Sequence, residues 1–248
     1  MSFTIKNRFS RIITFAEKPC IFSGLFPECY EKTFQKVFTF FCKCEEFHSL
    51  YCDLTASPQE LLASFKANTR NEIRRGEKED FRCEFDIEVE CIKTLHVKMA
   101  EEKGMDYTSV IREYNSLKPY LFVTCVKRGA NILVAHSFLI AKDKKLVMLK
   151  SSASSFRSLE KEEQKHIGFA NRYLHYQEML YFKEKGFLIY DFGGYAVNID
   201  ENDPKYAINK FKESFCGKKI IYYNYKSFSY IIIENIFRIF SKIKRRKK

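Results

Sequence analysis

The sequence predicts a mixed α+β domain, in which a mostly antiparallel, twisted sheet is flanked by helices and preceded by an N-terminal strand elaboration. Three strand-like runs, 120–126, 132–141 and 146–150, are joined by short polar turns and are typical of an antiparallel meander. Strong helix signals lie before and after this meander. The apolar fraction of 46% over 248 residues, with 25 Phe, is enough for a sizeable core and excludes intrinsic disorder.

The N-terminal part is expected to contribute strands and then a helix. Residues 33–42 and 46–54 are rich in Phe, Val, Tyr and Leu, which favour strands. The segment Ser57–Glu60 then predicts a helix start. Its serine can cap the helix, its proline suits the first helical position, and its glutamate completes a capping box.

Three cations are expected on one face of this helix, because Lys66, Arg70 and Arg74 fall at i, i+4 and i+8. Like charges at this spacing repel one another by roughly 0.2–0.5 kcal/mol per pair, which an anionic ligand would offset. Arginine forks bind phosphate oxygens with two parallel hydrogen bonds, so a sugar-nucleotide diphosphate or a lipid-linked pyrophosphate would suit this face. The alternative is a solvated face that neighbouring glutamates partly neutralise.

The remaining elements follow from hydrophobic periodicity and from helix start and stop signals. Before the meander we expect a strand at 82–90 and helices at 92–103 and 106–117. After it we expect a serine-rich loop at 151–158, a long helix at 162–185, a strand at 187–191, a helix that begins at Asp203-Pro204, a strand at 218–225 and a closing helix at 228–243.

The charge distribution divides the chain into a moderately basic body and a strongly basic end. Lys and Arg number 43 against 31 Asp and Glu, which gives a net charge of +12, and six of the basic residues lie in 242–248. The segment 228–248 is expected either to rest on an anionic membrane or to pack on the domain. The expected organisation is a strand-rich elaboration at 1–56, a core at 57–227 and an amphipathic helix with a basic tail at 228–248.

Cysteine usage and hydropathy indicate the compartment. Nine cysteines are an odd number without regular spacing, which is typical of free thiols in a reducing interior. No apolar run reaches the length of a membrane span, so we expect a cytoplasmic protein with at most a peripheral contact at the inner face of the membrane. Cys42, Cys44 and His48 lack a fourth ligand at a recognisable spacing, and no metal site is expected.

The order of elements from 82 to 225 resembles the GNAT acyltransferase fold. Five motifs narrow the resemblance, and in chain order they are Thr69–Arg75, Asn171–Tyr176, Lys183–Gly186, Tyr190–Gly194 and Phe211–Phe215. Together they are similar to the FemAB-like branch, whose members add acyl or aminoacyl groups to amines of cell-wall or glycan precursors. The resemblance covers about residues 60–217.

The resemblance implies an N-acyltransferase that uses an acyl-CoA, most simply acetyl-CoA, as its donor substrate and keeps no permanently bound cofactor. The superfamily pattern Gln/Arg-x-x-Gly-x-Gly/Ala matches 165–170, with Lys165 at the first position and Gly168 and Ala170 at the small positions. By this match the three residues would bind the CoA pyrophosphate at a helix N-terminus. Otherwise Gly168 and Ala170 would serve close packing inside a helix.

The resemblance also assigns residues near the end of the fold. Lys212 matches the lysine that is thought to stabilise negative charge near the reacting carbonyl or to bind the acceptor phosphate. Gly193 and Gly194 mark a close approach of the backbone to the acceptor. Asp191, at the end of a strand, is expected to orient the acceptor or to cap the next turn.

A polar stripe is expected on the long helix, because Asn171, His175 and Glu178 fall at i, i+4 and i+7. Asn171 is a candidate acceptor ligand, and His175 is a candidate general base on an amine. The alternatives are that this histidine only hydrogen-bonds within the fold, and that water takes the proton.

Three hypotheses for function remain. The first is acyl transfer to an amine of a sugar-nucleotide or lipid-linked glycan precursor of the cell envelope. The second keeps that acceptor but takes an aminoacyl group from tRNA, which the net charge would suit. The chain is short for aminoacyl enzymes that pair two such halves and carry a coiled-coil arm, so CoA is favoured. The third is a non-enzymatic basic adaptor that binds a membrane or a nucleic acid through its tail.

Overall fold

The computed structural model describes residues 2–7, 9–20, 26–102, 104, 107–154, 161–215 and 217–246. The strands in chain order are β1 (Phe3–Lys6), β2 (Arg11–Thr14), β3 (Glu28–Thr33), β4 (Cys42–Asp53), β5 (Phe81–Phe85), β6 (Leu121–Arg128), β7 (Asn131–Ala141), β8 (Leu146–Ser154), β9 (Ile189–Gly194) and β10 (Lys218–Ser227). The α-helices are α1 (Pro58–Ser64), α2 (Ala67–Gly76), α3 (Val89–Glu102), α4 (Thr108–Leu117), α5 (Lys161–Glu184), α6 (Pro204–Glu213) and α7 (Phe228–Arg246).

The chain forms two compact units. The terminal unit comprises residues 1–49 and 220–248, and the central unit comprises residues 50–219. In the terminal unit β1 pairs antiparallel with β2, β2 pairs in parallel with β3, and β3 pairs antiparallel with β10. None of the helices, over the residues described, combines the length and apolar character needed to cross a membrane.

The central unit contains the predicted meander. Its strands lie in the order β9-β8-β7-β6-β5, and β5 to β8 pair antiparallel with their neighbours. β9 instead pairs in parallel with β8, from Leu146↔Ile189 to Met148↔Asp191. The prediction of a mostly antiparallel sheet flanked by helices is therefore confirmed.

Helices cover both faces of the central sheet. One core lies between the sheet and helices α2 and α5 and includes Ile73, Phe138, Met179 and Phe182. The other lies between the sheet and helices α3 and α4 and includes Ile92, Tyr114, Ala135 and Ala153. Full burial of one such large apolar side chain contributes about 1.5–3 kcal/mol, so both faces hold the sheet in place.

A β-bulge interrupts the pairing of β7 with β8. The register passes from Ser137↔Ser151 to Phe138↔Leu149, which leaves Lys150 as an extra residue on β8. A bulge breaks the alternation of side chains along a strand. Leu149 packs with the core on the α5 face, whereas Lys150 and Ser151 both line a cavity beside α4.

The strand expected at 33–42 is wrong. β3 ends at Thr33, and the next strand begins only at Cys42. Between them Phe38 and Phe40 are 83% and 78% exposed. Two of the apolar residues that suggested a strand therefore lie on the surface, whereas Phe34 packs against Phe15 and Tyr222.

The single helix expected after Ser57 is interrupted. Its start is confirmed, since Ser57 and Glu60 form the capping box, but α1 ends at Ser64 and α2 begins at Ala67. Phe65 is buried and packs edge-on against Phe215 at 5.1 Å between ring centroids. The next backbone N–H, that of Lys66, donates to Ser214 O at 2.9 Å instead of to the helix. These tertiary contacts outweigh the local preference for one helix.

Two further boundaries differ from expectation. The strand expected at 82–90 ends at Phe85, because Asp86 has a φ of +58° and turns the chain toward α3, which begins at Val89. The first four residues of the loop expected at 151–158 extend β8, and 155–158 lie outside the described residues. Of the basic tail, residues 247 and 248 also lie outside them.

Candidate functional site

A buried lysine lies where β9 ends. Helix α6 carries Lys212 inward, so that its side chain is 9% exposed. Its Nζ donates to Gly193 O at 3.1 Å and to Gly194 O. Burial lowers the pKa of Lys212 to about 8, while nearby Asp191 acts in the opposite direction. An ammonium has three N–H groups, so among the described residues these two carbonyls leave one for a substrate oxygen.

Asp191 and Gly193 shape the turn that presents these carbonyls. Asp191 is fully buried, and its Oδ1 accepts the N–H of Gly193 at 2.7 Å, so the carboxylate caps the turn. Gly193 has a φ of +69°, and a Cβ on it would lie 2.5 Å from the carbonyl oxygen of Leu149 on β8. The close approach of the two strands therefore requires glycine at this position.

We expect Gly193→Ala to destabilise the protein and to displace the carbonyl that holds Lys212. The left-handed φ costs about 1–2 kcal/mol for a non-glycine residue, and the backbone clash adds to it. Gly129→Ala is the matched control, because Gly129 has a φ of +59° but no atom lies within 4 Å of its Cβ position. Urea unfolding of both variants measures the difference. Equal free energies of unfolding would show that the approach to Leu149 is unimportant.

A fully buried polar network lies beside this site on α5, β6, β7 and β9. His136 Nδ1 contacts Glu178 Oε1 at 2.8 Å, and its Nε2 contacts Asn171 Oδ1 at 2.9 Å. Tyr190 donates its hydroxyl to Glu178 Oε2 at 2.6 Å, and Thr124 donates to Glu178 Oε1. The predicted stripe of Asn171, His175 and Glu178 thus points into the core and is satisfied by partners on the sheet.

His175 is a weak base in this setting. Its Nδ1 lies 2.6 Å from the hydroxyl of Tyr190, and its ring is 1% exposed among Phe192, Phe211 and Phe215. Burial and the neighbouring His136 lower the pKa of His175 to about 4. Burial by itself would raise the pKa of Glu178, but the attraction and hydrogen bonds of the histidines lower it to about 2. The geometry favours a structural role over the expected general base.

The same network is the place where the described residues could hold a metal ion. Ligand atoms of His136, His175 and Glu178 all lie within 4.8 Å of one another. The Tyr190 hydroxyl, however, lies 2.6 Å from both His175 Nδ1 and Glu178 Oε2. It fills the position between two of the three ligands, so a cation would have to displace it. We assign no metal to the site.

Two further cations lie beside Phe211 and Glu213, the sequence neighbours of Lys212 on α6. Arg172 stacks over the ring of Phe211 at 4.9 Å, and its Nη1 pairs with Glu72 Oε2 at 2.8 Å. Its buried Nε has no hydrogen-bond acceptor among the described residues. Lys66 is exposed; the hydrogen bond from Tyr195 lowers the pKa of Glu213 on α6, with smaller effects of Lys210 and Lys66 in the same direction. The surface beside the end of α6 is therefore suited to an anion.

The expected cationic face of Lys66, Arg70 and Arg74 is not formed. The interruption at residues 65 and 66 makes Lys66 the N-cap of α2 rather than a helical residue. Arg70 donates to the carbonyl oxygens of Ala63 and Phe65, where it caps the end of α1. Arg74 is exposed. Of the three, only Lys66 lies near the end of α6.

The expected CoA pyrophosphate site does not fit the structure. Lys165, Gly168 and Ala170 lie inside α5, which begins at Lys161, so their N–H groups belong to the helix. Lys165 is exposed and pairs with Glu162 at 2.6 Å. Ala170 is buried in the core, as the packing alternative expected. These residues match the motif in sequence, but they do not lie at a helix N-terminus, which this kind of phosphate binding requires.

The sequence assigns no separate role to several polar residues of the site, although two of them lie in the motifs named above. These residues lie inside apolar strands or on the inner face of a helix. They are Thr124, His136, Arg172 and Tyr190. A signal existed for His136, because a charged or polar ring in the run Leu133–Ala141 must find a buried partner. The identity of that partner requires the fold.

Comparison of the fold with solved structures gives clear similarities. No family profile and no curated protein matches the sequence. FemX matches at 15% identity and a TM-score of 0.57, over 76% of this chain and 63% of that chain, so less than two thirds of FemX is spanned. A C-terminal domain assigned to a lysylphosphatidylglycerol synthetase of Agrobacterium fabrum matches at 12% identity over 91% and 79% of the two chains, with a TM-score of 0.54.

L-PGS from Bacillus licheniformis is similar to the same extent, with 10% identity, a TM-score of 0.55 and coverage of 91% of this chain and 80% of that chain. The fold is GNAT-like. At these identities the likeness concerns the fold alone. The GNAT-like core expected from the order of elements is thereby confirmed.

Proposed function

We propose that the chain transfers an acyl or aminoacyl group to a nucleophile on a phosphate-bearing precursor of the cell envelope. The observation that carries this proposal is the buried ammonium of Lys212, fixed on the carbonyls of Gly193 and Gly194 in a GNAT-like core. Two similar structures support this acceptor class, namely a domain assigned to a lysylphosphatidylglycerol synthetase, and L-PGS. The first of these enzymes is named for an aminoacyl phospholipid.

The ammonium would act on the charge that develops during acyl transfer. Attack on an ester or thioester carbonyl creates an oxyanion, and a preorganised donor in a dry site stabilises it. Lys212 is held by two carbonyls and therefore needs no reorganisation when the charge appears. His175 is too weak a base to take the amine proton at neutral pH, so another acceptor must do so.

The proposal keeps two candidates for the acyl donor. Acetyl-CoA remains our first candidate, although the residues that were expected to bind its pyrophosphate make other contacts. The first turn of α5 carries Glu162 and Glu163, which would repel a phosphate. These observations favour an aminoacyl-tRNA as the donor, because its phosphates would be attracted by the net charge of +12 and would not need the start of α5.

The acceptor would bring a phosphate to the cations beside α6. Arg172 lies over the ring of Phe211, and Lys66 lies beside Glu213 and Ser214 at the end of α6. The unused Nε of Arg172 is a buried donor aimed at no protein acceptor among the residues described. A guanidinium in that state is well suited to a phosphate oxygen.

The proposal is tested by mass spectrometry of reaction mixtures. Each mixture contains the purified chain, one labelled donor (acetyl-CoA or lysyl-tRNA) and one acceptor (UDP-glucosamine or phosphatidylglycerol vesicles). We expect an acylated acceptor with at least one donor. An absence of acylated product with both donors and both acceptors, from a chain that is folded by circular dichroism, would contradict the proposal.

The terminal unit offers an apolar surface that suits a membrane. We define it by exposed residues of the 38–41 segment and of α7, namely Phe38, Phe40, Phe41, Phe228, Ile232, Ile236 and Ile239. The α7 members are spaced 4, 4 and 3 apart, so they share one helix face. The N–H of Phe228 donates to Phe41 O at 3.2 Å, which joins the two segments.

Charge complementarity supports an anionic lipid surface as the occupant. Lys242, Lys244, Arg245 and Arg246 belong to the last turns of α7, and each basic residue near such a surface contributes about 1 kcal/mol. Exposed aromatic and aliphatic side chains next to a basic end are the composition of helices that lie in a membrane interface. We therefore propose that the chain works at the surface of an anionic membrane.

We expect Phe38→Ser/Ile232→Ser to weaken binding to vesicles with 30 mol% phosphatidylglycerol by at least about tenfold, since it removes two apolar side chains from the interface. Vesicle flotation measures the bound fraction. Leu188→Ser is the matched control, because Leu188 is exposed but belongs to the central unit. Wild-type binding by the double variant, or equal binding to pure phosphatidylcholine, would refute the assignment.

A further inference from the structure

A small cavity with both polar and apolar walls lies on the face of the central sheet that α3 and α4 cover. It has a volume of about 270 Å³, and its polar walls are His96, Tyr114, Lys150 and Ser151. Val110 and Leu117 supply apolar walls. This face is opposite to the one that packs against α5, so the cavity is distinct from the buried histidine network.

The β-bulge on β8 builds this cavity. Regular alternation would place only one of Lys150 and Ser151 on this face, but the extra residue lets both line it. Lys150 Nζ pairs with Glu113 on α4 at 2.5 Å, and Ser151 is paired with Ser137 across the strands. The backbone irregularity thus delivers a cation and a hydroxyl to one small space.

A continuous hydrogen-bonded chain leads from the cavity toward solvent. Ser137 Oγ lies 2.5 Å from Ser151 Oγ, and Ser151 Oγ lies 2.7 Å from the hydroxyl of Tyr114. The Tyr114 hydroxyl in turn lies 2.7 Å from His96 Nδ1. Tyr114 is buried, whereas His96 is half-buried, so a proton that reaches the imidazole can leave to water.

Strand β8 runs from the turn beside Lys212 to the cavity. The parallel pairing of β8 with β9 runs to Met148↔Asp191, and Gly193 still approaches the carbonyl of Leu149. Ser151 is two residues further along β8, which corresponds to about 7 Å of strand. The paired register of β8 and β9 ends at Met148↔Asp191, and a carbonyl held near Lys212 would meet a nucleophile held near Ser151 beyond that pair.

We propose that this cavity holds the amine of the acyl acceptor, and that Ser151, Tyr114 and His96 carry its proton away. The proposal rests on the acyl transfer proposed above and supplies the proton acceptor that His175 cannot provide. Ser151 touches the substrate, and Tyr114 and His96 act through it.

The amine nitrogen forms a bond to the acyl carbon of a thioester or ester donor, and the bond from that carbon to sulfur or oxygen breaks with its electron pair. One amine proton passes to Ser151 while the serine proton passes to Tyr114 and the tyrosine proton to His96 Nδ1. The leaving thiolate or alkoxide takes a proton from water, and His96 releases one to water.

The walls define the class of group that fits. The volume admits a short end group rather than a nucleotide, so the bulk of the acceptor would stay outside. The ion pair of Lys150 and Glu113 offers one charge of each sign at the rim, which suits a primary amine that lies close to a hydroxyl or carboxylate. An amino sugar and an amino-acid end group both have this chemistry.

Variants of the relay are assayed in whichever donor and acceptor mixture the wild type turns over. We expect Tyr114→Phe to lower kcat about 100-fold with an unchanged KM for the donor, because it interrupts proton transfer and keeps the ring. Tyr107→Phe, at the exposed start of α4, is the matched control. His96→Ala should be rescued by added imidazole. Full activity of Tyr114→Phe in an active preparation would overturn the relay and leave the transferase assignment intact.

Nitrogen-15 NMR of histidine-labelled protein tests the relay without turnover. We expect His96 Nδ1 of the wild type to be unprotonated and to shift in Tyr114→Phe, since it accepts the tyrosine proton. An Nδ1 that carries the proton at neutral pH, or that does not respond to Tyr114→Phe, would overturn the relay whether or not any donor is turned over.

Discussion

Replacement of Lys212 by alanine is expected to lower kcat/KM for acyl transfer at least about 100-fold, which is the usual cost of losing one donor to a developing oxyanion. Lys212 is buried, and its Nζ is fixed on Gly193 O and Gly194 O, so no other described cation can take its place without moving the backbone. Lys205→Ala on the exposed side of α6 is the matched control. Transfer by Lys212→Ala at the wild-type rate would refute the site.

The pH dependence of the wild type provides a second measure of the same role. The cation is the active form, and burial lowers the pKa of Lys212 to about 8. The contribution of Lys212 to the rate should therefore be complete below that pKa and be lost as the pH rises through it. Lys212→Arg keeps a cation at every accessible pH, so this decline should disappear even where the rate is lower. Persistence of the decline in that variant would assign it to another group.

Replacement of Glu178 by alanine is expected to destabilise the protein by about 3–5 kcal/mol, the usual cost of removing one member of a buried charged network. The loss leaves Thr124, His136 and Tyr190 without their shared acceptor in a site that water does not reach. The free energy of unfolding in urea measures the effect. Glu184→Ala, at the exposed end of the same helix, should change it by less than about 0.5 kcal/mol.

Two further variants distinguish the hydrogen bonds of the Glu178 side chain from its packing. Glu178→Gln retains an acceptor oxygen and should recover part of the lost stability, whereas Glu178→Leu should not. A loss under about 1 kcal/mol for Glu178→Ala would show that the network contributes little and that the histidines are satisfied by other groups.

The fold was predictable where local signals decide it. The capping box at Ser57 and the cap at Asp203 each form as expected, and the short polar turns of the meander determine its pairing. The interruption at Lys66 was not predictable, because it depends on a hydrogen bond to Ser214, which lies 148 residues away in sequence. Local preference and tertiary contact conflict there, and the contact prevails.

Individual residues of the site were predictable from the sequence, but their arrangement in space was not. Lys212 and the glycine pair were named from their resemblance to known motifs, whereas the hydrogen bonds between them depend on how α6 packs on β9. The relay through His96 and Tyr114 had no sequence signal, because its members come from two helices and a bulged strand. Periodicity within one element cannot show which elements share a cavity.

The most direct test of the central claim is a crystal structure of the chain with a stable donor analogue, in which a ketone replaces the ester or thioester. The account predicts the ketone oxygen about 3 Å from Lys212 Nζ, at the third position of that ammonium. An ordered analogue whose carbonyl lies elsewhere, with Lys212 still bonded only to Gly193 and Gly194, would contradict it.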